Sequence, residues 1–294
     1  MAGIAYYSGL RKLGSGIIRL GPGVPAMQLE TIQRLKPTAI VAVPSFILKL
    51  IQFAKDNHVD LSKTSVKKAI CIGENIRNTD YSLNILGKKI TESWDIQLYS
   101  TYASTEMQTA FTECSEGRGG HLQPELIIAE LLDDENNPVP PHTPGELTIT
   151  TLGVEGMPLL RYKTGDICMY DDAPCACRRN TMRLSPIIGR KKQMIKFKGT
   201  TLYPPAMFDL LNEMEEVLDY VVEVYSNEIG MDEVLLHLLP LDDSKACDNR
   251  IRAYLQARLR VSPHVNYITV EQLQKMQFPE SVRKAVKFID KRGS

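Results

Sequence analysis

The sequence predicts an α/β chain in three consecutive blocks: a helix-flanked sheet, a β-rich stretch, and a small α+β module. Three observations predict it. Up to about residue 100, short β-branched runs alternate with helix-spaced apolar residues. After residue 120, strand-like runs are joined by turn text such as PPHTPGE, and residues 200–294 mix both periods again. Strands separated by helices favour parallel pairing with right-handed crossovers.

In order, Met27–Lys36 has apolar positions at 29, 32 and 35, a helical spacing that stops before Pro37. Thr38–Val43 is a buried-type strand. Pro44 stands where a helix can begin, with Phe46, Leu50 and Phe53 on one face. Lys67–Gly73 reads as a strand, Asn78–Lys89 as a helix and Ile96–Ser100 as a strand. Leu126–Leu132, Glu146–Leu152 and Leu160–Tyr170 read as strands of the β-rich block. The last block reads as a helix near 205–217, strands near 219–225 and 233–239, a charged helix near 245–260 and a strand near 265–270. The joint is expected at the basic stretch Gly189–Lys192, giving domains 1–190 and 191–294.

Composition narrows the function. The 294 residues carry 35 basic and 35 acidic side chains, and 43% are hydrophobic. Such a neutral chain does not bind nucleic acid by charge alone, and it is apolar enough to bury a core. The longest apolar run, Thr38–Ala54, is broken by Pro44, Ser45, Lys49 and Gln52, so it predicts a core element and no membrane span. The opening text MAGIAYYSGLRKLG lacks a secretory pattern. Six cysteines in a chain this long suggest free or metal-bound thiols in a reducing cytoplasm.

Four segments carry polar chemistry at strand ends. Cys71-Ile72-Gly73-Glu74-Asn75 offers a glycine where a flat ligand can approach backbone, or a plain strand-to-helix turn. Tyr102-Ala103-Ser104-Thr105-Glu106 offers hydroxyls for phosphate oxygens and a carboxylate for Mg²⁺, or a helix N-cap. Arg161–Asp166 ends in an aspartate able to accept two ribose hydroxyls, or is a surface turn. Gly189–Gly199 is a basic segment that also reads as a solvated hairpin. Cys114 and His121 form one local pair of metal-type ligands, and Cys175 and Cys177 another; together they suit a tetrahedral Cys₃His zinc site, or are scattered thiols beside a surface histidine. Cys71, Cys168 and Cys247 read as core or incidental, and so do His58, His142, His237 and His264, which lack ligand partners at suitable spacing.

In their order and spacing, YASTE (102–106), PGELTIT (144–150), RYKTGD (161–166), GRKKQMIKFKG (189–199) with LYPP (202–205), and PESVRKAVKFIDKR (279–292) resemble the AMP-forming acyl-CoA synthetase superfamily, in its phenylacetate-CoA ligase-like branch. The resemblance implies the C-terminal part of a large AMP-binding domain over 1–190 and a small mobile domain over 191–294, hinged at Lys191 and Lys192. It implies an adenine site at Gly73, Glu74 and Asn75, with Tyr102 stacking on the base and Ala103 where most relatives have Gly. Ser104 and Thr105 would meet phosphate, Glu106 would hold Mg²⁺, and Asp166 would bind the ribose with Arg190 beside it. Lys284 falls at the adenylation-lysine position, although Arg283 replaces the usual glycine before it; Lys287 is the rival.

The implied reaction joins a carboxylic acid, aryl in type such as phenylacetate, to coenzyme A through an acyl-adenylate made from ATP. Alternatives are acyl transfer to a carrier protein, or a non-catalytic nucleotide-binding remnant. The family's glycine-rich phosphate loop has no counterpart in these residues, so the chain alone is expected to adenylate weakly or not at all. Many relatives carry a comparable TEC…H and PC-x-C arrangement, which favours structural zinc. A homodimer is compatible with the resemblance; nucleic acid and membrane partners are not expected.

Overall fold

The computed structural model describes residues 2–21, 24–197, 199–228, 230–242, 244–259, 261–279 and 285–292. It divides into two compact units, Met1–Ile187 and Ile188–Ser294. No helix among the described residues is long and apolar enough to cross a membrane.

The first unit opens with α1 (Ala2–Lys12) and α2 (Pro25–Leu35), then β1 (Ala39–Ala42), α3 (Pro44–Asp56), β2 (Lys68–Ile72), α4 (Ile85–Ser93) and β3 (Gln97–Ala103). β1, β2 and β3 pair in parallel, as the alternating pattern predicts. Pro25 and Pro44 occupy the first turns of α2 and α3, where a missing N–H is harmless. Lys36 ends α2 in the left-handed region at φ 49°, directly before Pro37. Leu29, Ile32, Ile47, Leu50 and Ala54 of these helices pack with Ala69, Cys71 and Leu98 of the sheet. On β2 the alternate residues Ile70 and Ile72 point the other way and are only half-buried.

The sheet then turns antiparallel. β4 (Ala110–Glu113), β5 (Gly120–His121), β9 (Tyr170–Asp171) and β10 (Arg183–Leu184) extend it in the order β1-β2-β3-β4-β5-β10-β9. A second sheet places β7 (Gly145–Thr151) between β6 (Ile127–Leu132) and β8 (Tyr162–Cys168). Met107, Phe111, Leu131, Leu147, Ile149 and Leu184 form the core of this β-rich half.

In the second unit, β11 (Gly189–Arg190) leads into a 3₁₀ turn at Lys191–Gln193, the hairpin β12 (Ile195–Phe197) and β13 (Thr200–Leu202), and α5 (Pro204–Glu213). β14 (Val217–Ser226), β15 (Asp232–Pro240), α6 (Lys245–Leu259), β16 (His264–Tyr267), α7 (Val270–Gln277) and β17 (Phe288–Asp290) follow. The sheet order is β16-β15-β14-β17. Val222, Val224, Val234 and Leu236 pack on Met207, Leu211, Ile251 and Leu255, while Val221, Ile268 and Leu273 form a second, smaller cluster.

Several boundaries differ from the sequence reading, including the helix expected to run to 217, which ends at Glu213 ahead of a strand from Val217. The helix expected from Asn78 begins at Ile85, because Asp80 turns the chain by accepting from the Ser82 amide and Asn84 caps the helix through the Gly87 amide. The strand expected near 265–270 ends at Tyr267, and α7 follows under a Thr269/Gln272 capping box. The run Leu160–Tyr170 splits into β8 and β9.

One carboxyl on α5 makes a stability prediction. Burial, aided by the Glu213 charge, pushes the Asp209 carboxyl from 3.8 to about 6. A raised folded-state value means the stabilisation is complete below about pH 4 and is lost as pH rises through about 6. Asp209→Asn is therefore expected to stabilise the second unit by about 1–2 kcal/mol at neutral pH, after allowance for solvent screening. Thermal melts should show that gain vanish below about pH 4.

Candidate nucleotide and metal sites

The candidate nucleotide site is built where β3 meets a distortion in β8. Pairing of β7 with β8 runs Glu146↔Ile167 and then Thr148↔Lys163, so Thr164, Gly165 and Asp166 face Leu147 alone. Gly165 takes φ +77°, which a side chain would resist. Thr164 Oγ1 donates to the Leu147 carbonyl at 2.8 Å and accepts from the Asp166 amide at 3.1 Å, fixing the bulge. Bulges re-aim side chains next to functional sites. Here the bulge turns Asp166, 8% exposed, toward β3, where Tyr102 Oη donates to its Oδ2 at 2.7 Å. Asp166 thus lies inside a strand and not at its end. Burial and the neighbouring carboxylate both push the Tyr102 hydroxyl well above its ordinary value, so it remains a donor.

Beyond Tyr102 the chain leaves β3 at Ala103 and turns through Thr105–Met107, closed by the Met107 amide on Ser104 Oγ at 3.3 Å. No helix begins there, so the N-cap alternative fails. Thr105 and Glu106 stand exposed at this turn.

Gly73 leaves β2 at φ +77°, and the two residues after it are held by other elements. Both Glu74 oxygens accept from Ser45, from its amide and its hydroxyl, each at 2.8 Å. That carboxylate caps α3, whose own N-cap Val43 offers no side-chain acceptor. Asn75 Nδ2 donates to the Ile187 carbonyl at 2.8 Å, and Asn84 Nδ2 donates to the Asn75 carbonyl at 3.0 Å.

Sequence reasoning missed the group that binds this loop to the sheet. Arg77 Nε donates to Glu113 Oε1 at 2.7 Å, and Glu113 Oε2 accepts from the Ser100 amide at 2.9 Å. The two side chains are 14% and 2% exposed, so this is a buried pair, hydrogen-bonded on both carboxylate oxygens. It joins the 73–84 loop to β3 and β4 together. A charge pair 36 residues apart leaves no local pattern to read.

The four suspected metal ligands do come together: one donor atom each of Cys114, His121, Cys175 and Cys177 lies within 4.8 Å of the others. Cys114 Sγ is 3.7 Å from Cys175 Sγ, and Cys177 Sγ is 3.5 Å from His121 Nε2. Tetrahedral zinc, at ~2.3 Å from sulfur and ~2.05 Å from nitrogen, requires edges of ~3.8 Å and ~3.6 Å. His121 Nδ1 lies 3.1 Å from Thr181 Oγ1, a partner that fixes the ring with Nε2 toward the sulfurs. Burial, with Arg179 and Arg183 nearby, holds the imidazole below its ordinary value and hence neutral, as a ligand must be. Burial pushes the Cys114 thiol up to about 11. At Cys175 burial acts in the same direction, yet hydrogen bonding from Cys177, Cys114 and Arg183 brings the thiol below its ordinary value. Cys71, Cys168 and Cys247 are buried in cores. His237 is a core residue: it lies 3.3 Å from Glu223 Oε2 and 3.2 Å from Asn266 Nδ2 in a buried cross-strand chain.

In the second unit, Lys284 lies outside the described residues. Its rival Lys287 is engaged, with Nζ 3.0 Å from Asp219 Oδ1 and 4.2 Å from the Tyr220 ring centre. Lys191 and Lys192 form the 3₁₀ turn after Arg190. Arg292 holds that turn: its guanidinium donates to the carbonyls of Lys192 at 3.1 Å and Met194 at 2.7 Å, and to Asp232 and Asp290. All five of its N–H groups are used once the Nε bond to Asp290 is included.

Comparison with known proteins adds a family to this geometry. The model of a family described as AMP-binding enzyme matches residues 13–156. The phenylacetate-coenzyme A ligase of Thermus thermophilus is 28% identical over 238 residues, 80% of this chain and 52% of that protein. The Escherichia coli protein of the same name is 24% identical over 305 residues, 99% and 66% of the respective lengths. Among solved structures, 2-hydroxyisobutyryl-CoA ligase in its postadenylation state, with an acyl-AMP bound, gives a TM-score of 0.73 at 23% identity, covering 92% of this chain and 58% of that one. The same ligase with CoA, in its thioesterification state, gives 0.55 at 24% identity over 94% and 58%. These structural likenesses establish a shared fold. The chain spans about half the length of the Thermus relative.

Proposed function

Because residues 13–156 match the model of the AMP-binding enzyme family and the chain resembles phenylacetate-coenzyme A ligases, we propose that it serves the AMP-forming ligation of a carboxylic acid, aryl in type such as phenylacetate, to coenzyme A. The observation that carries this reading is the 2.7 Å bond between Tyr102 and Asp166. These two residues lie 64 positions apart on strands of different sheets, yet they touch, as a base support and a ribose acceptor for one nucleotide would.

In this reading the Tyr102 ring supports the base, and the Asp166 carboxylate accepts the ribose hydroxyls. A carboxylate has about four lone-pair sites, so it can hold the ribose while keeping the tyrosine hydroxyl. Thr105 donates to the α-phosphate from the exposed turn. Bound Mg²⁺ would offset charge developing on the phosphoryl oxygens, and Glu106 is the carboxylate assigned to it. Lys284 supplies a second positive charge for the same oxygens. Rotation about Lys191–Lys192 then lets one site serve adenylation and thiol attack in turn.

We assign the Cys₃His cluster to zinc. All four positions are filled by protein donors, so the ion is structural and fastens the β4–β5 turn to the loop at 175–177. Three cysteines given to zinc and three others outside any disulfide suit a reducing compartment, and we place the protein in the cytoplasm.

Calorimetric titration with AMP and with ATP tests the reading, and one-site saturable heat is expected. No heat with either nucleotide would overturn it. Thioester formation should be followed with CoA and with carrier protein as acceptor. Each assay should be run with and without a polypeptide matching the half of the relatives that this chain does not span.

A further inference from the structure

The cluster of metal-type ligands has a cationic neighbour that its own four residues do not account for. Arg183 stands on β10 directly opposite the ligand His121 on β5, and opposite Asp171 on β9. It is 4% exposed. One terminal nitrogen is satisfied, donating to Asp171 Oδ2 at 2.6 Å and to the Ala173 carbonyl at 3.0 Å. That second acceptor is two residues before Cys175, which brings the guanidinium to the loop carrying two ligands. Its Nε–H, in contrast, is buried without a hydrogen-bond partner among the described residues. A buried donor left unmatched forfeits its hydration with no return.

We propose that Arg183 is the outer-sphere partner of the metal centre, its Nε–H donating to the Cys175 sulfur once that sulfur is a metal-bound thiolate. The inference rests on the zinc assignment of the cluster. Three thiolates and a neutral imidazole around a dication leave one net negative charge, in a place where a buried cation is otherwise hard to explain beyond its pairing with Asp171. Cysteine sulfur is a weak acceptor as a thiol and a good one as a thiolate, so the contact strengthens on metal binding. Outer-sphere donors of this kind orient ligands and tune the metal they hold. Arg183 is therefore a positioning residue whose effect passes through sulfur.

The full chain is loaded with Co²⁺ or Zn²⁺, as wild type and as Arg183→Lys. Lysine keeps the charge facing Asp171 but cannot reproduce the two-sided guanidinium contact. A hydrogen bond draws electron density from sulfur, so its loss should move the thiolate-to-Co²⁺ charge-transfer band to lower energy. Zinc transfer to a chromogenic chelator should become faster by about 10–100-fold. A variant that binds metal with band and transfer rate unchanged overturns the proposal, even if its melting temperature falls, since an ion pair with Asp171 alone would do that. Should Arg183→Lys fail to fold, the wild type loaded with NMR-active cadmium decides: a through-bond correlation from the metal to the Arg183 Nε proton supports the contact, and its absence refutes it. Wild type that takes up neither Co²⁺ nor Zn²⁺ refutes the zinc assignment instead, and the nucleotide titration is independent of both.

Discussion

Replacing Asp166 by Asn weakens AMP binding by about two orders of magnitude, the loss expected when hydrogen bonds to a charged acceptor become neutral ones. The substitution keeps volume and leaves the bulge of β8 intact, because the bulge is held by Thr164 on the Leu147 carbonyl and the Asp166 amide, not by the carboxylate. What changes is the acceptor. Asn has one carbonyl oxygen, and Tyr102 already claims a position on Oδ2 at 2.7 Å. The amide nitrogen would face ribose hydroxyls with a donor where an acceptor is needed. Tyr102→Phe retains the ring and removes only the hydroxyl, so its expected loss is smaller, about tenfold at most. Calorimetry with AMP and with its 2′,3′-dideoxy analogue separates causes. Both substitutions should matter little for the analogue, which has no hydroxyl to present. Equal losses for the two ligands would place Asp166 in the framework of the site and outside the ribose contact.

The sequence foretold the ligand-bearing residues better than the means by which they are held. The β-branched run Thr38–Val43 and the β2 text at 67–73 announce strands because a strand buried among helices must be apolar along its length. Cys114, His121, Cys175 and Cys177 were visible as two local pairs, since metal-type ligands are few and chemically distinct. By comparison, the bulge at Thr164–Asp166 depends on the register of β7 against β8, which is set by tertiary pairing. Arg77 with Glu113, and Arg183 with Asp171, look like ordinary surface charges until the sheet brings them together. The missed helix α7 differs in kind: Thr269-Val270-Glu271-Gln272 is a capping-box text that could have been read. Likewise, the turn at Asp80 and the cap at Asn84 were local signals that outweighed the apolar spacing within 78–89.

Zinc removal should cost the first unit more stability than any single side chain discussed above. Metal that binds only the folded state stabilises by about 4 kcal/mol when free ion exceeds its dissociation constant a thousandfold. For a unit of this size that corresponds to a fall in melting temperature of about 8–16 °C on chelation. The unit should stay folded after the loss. Its parallel strands β1–β3 keep the helix-side core of Ile47, Leu50, Ala69, Cys71 and Leu98, none of which depends on the cluster. The damage should concentrate in β4, β5, β9 and β10, the antiparallel extension that Cys114 and His121 share with the loop at 175–177. Hydrogen exchange there should accelerate while β1–β3 remain protected. Cys175→Ser should reproduce the chelated state and lose one equivalent of zinc per chain by elemental analysis. Cys247→Ser, which removes a thiol buried in the second unit, should leave the metal content unchanged. The same strands carry Tyr102 through the β3–β4 pairing of Tyr102 with Phe111, so chelation should also weaken AMP binding. A chelated chain that binds AMP as tightly as the loaded one would confine the metal to a local fastening, with no reach into the nucleotide site.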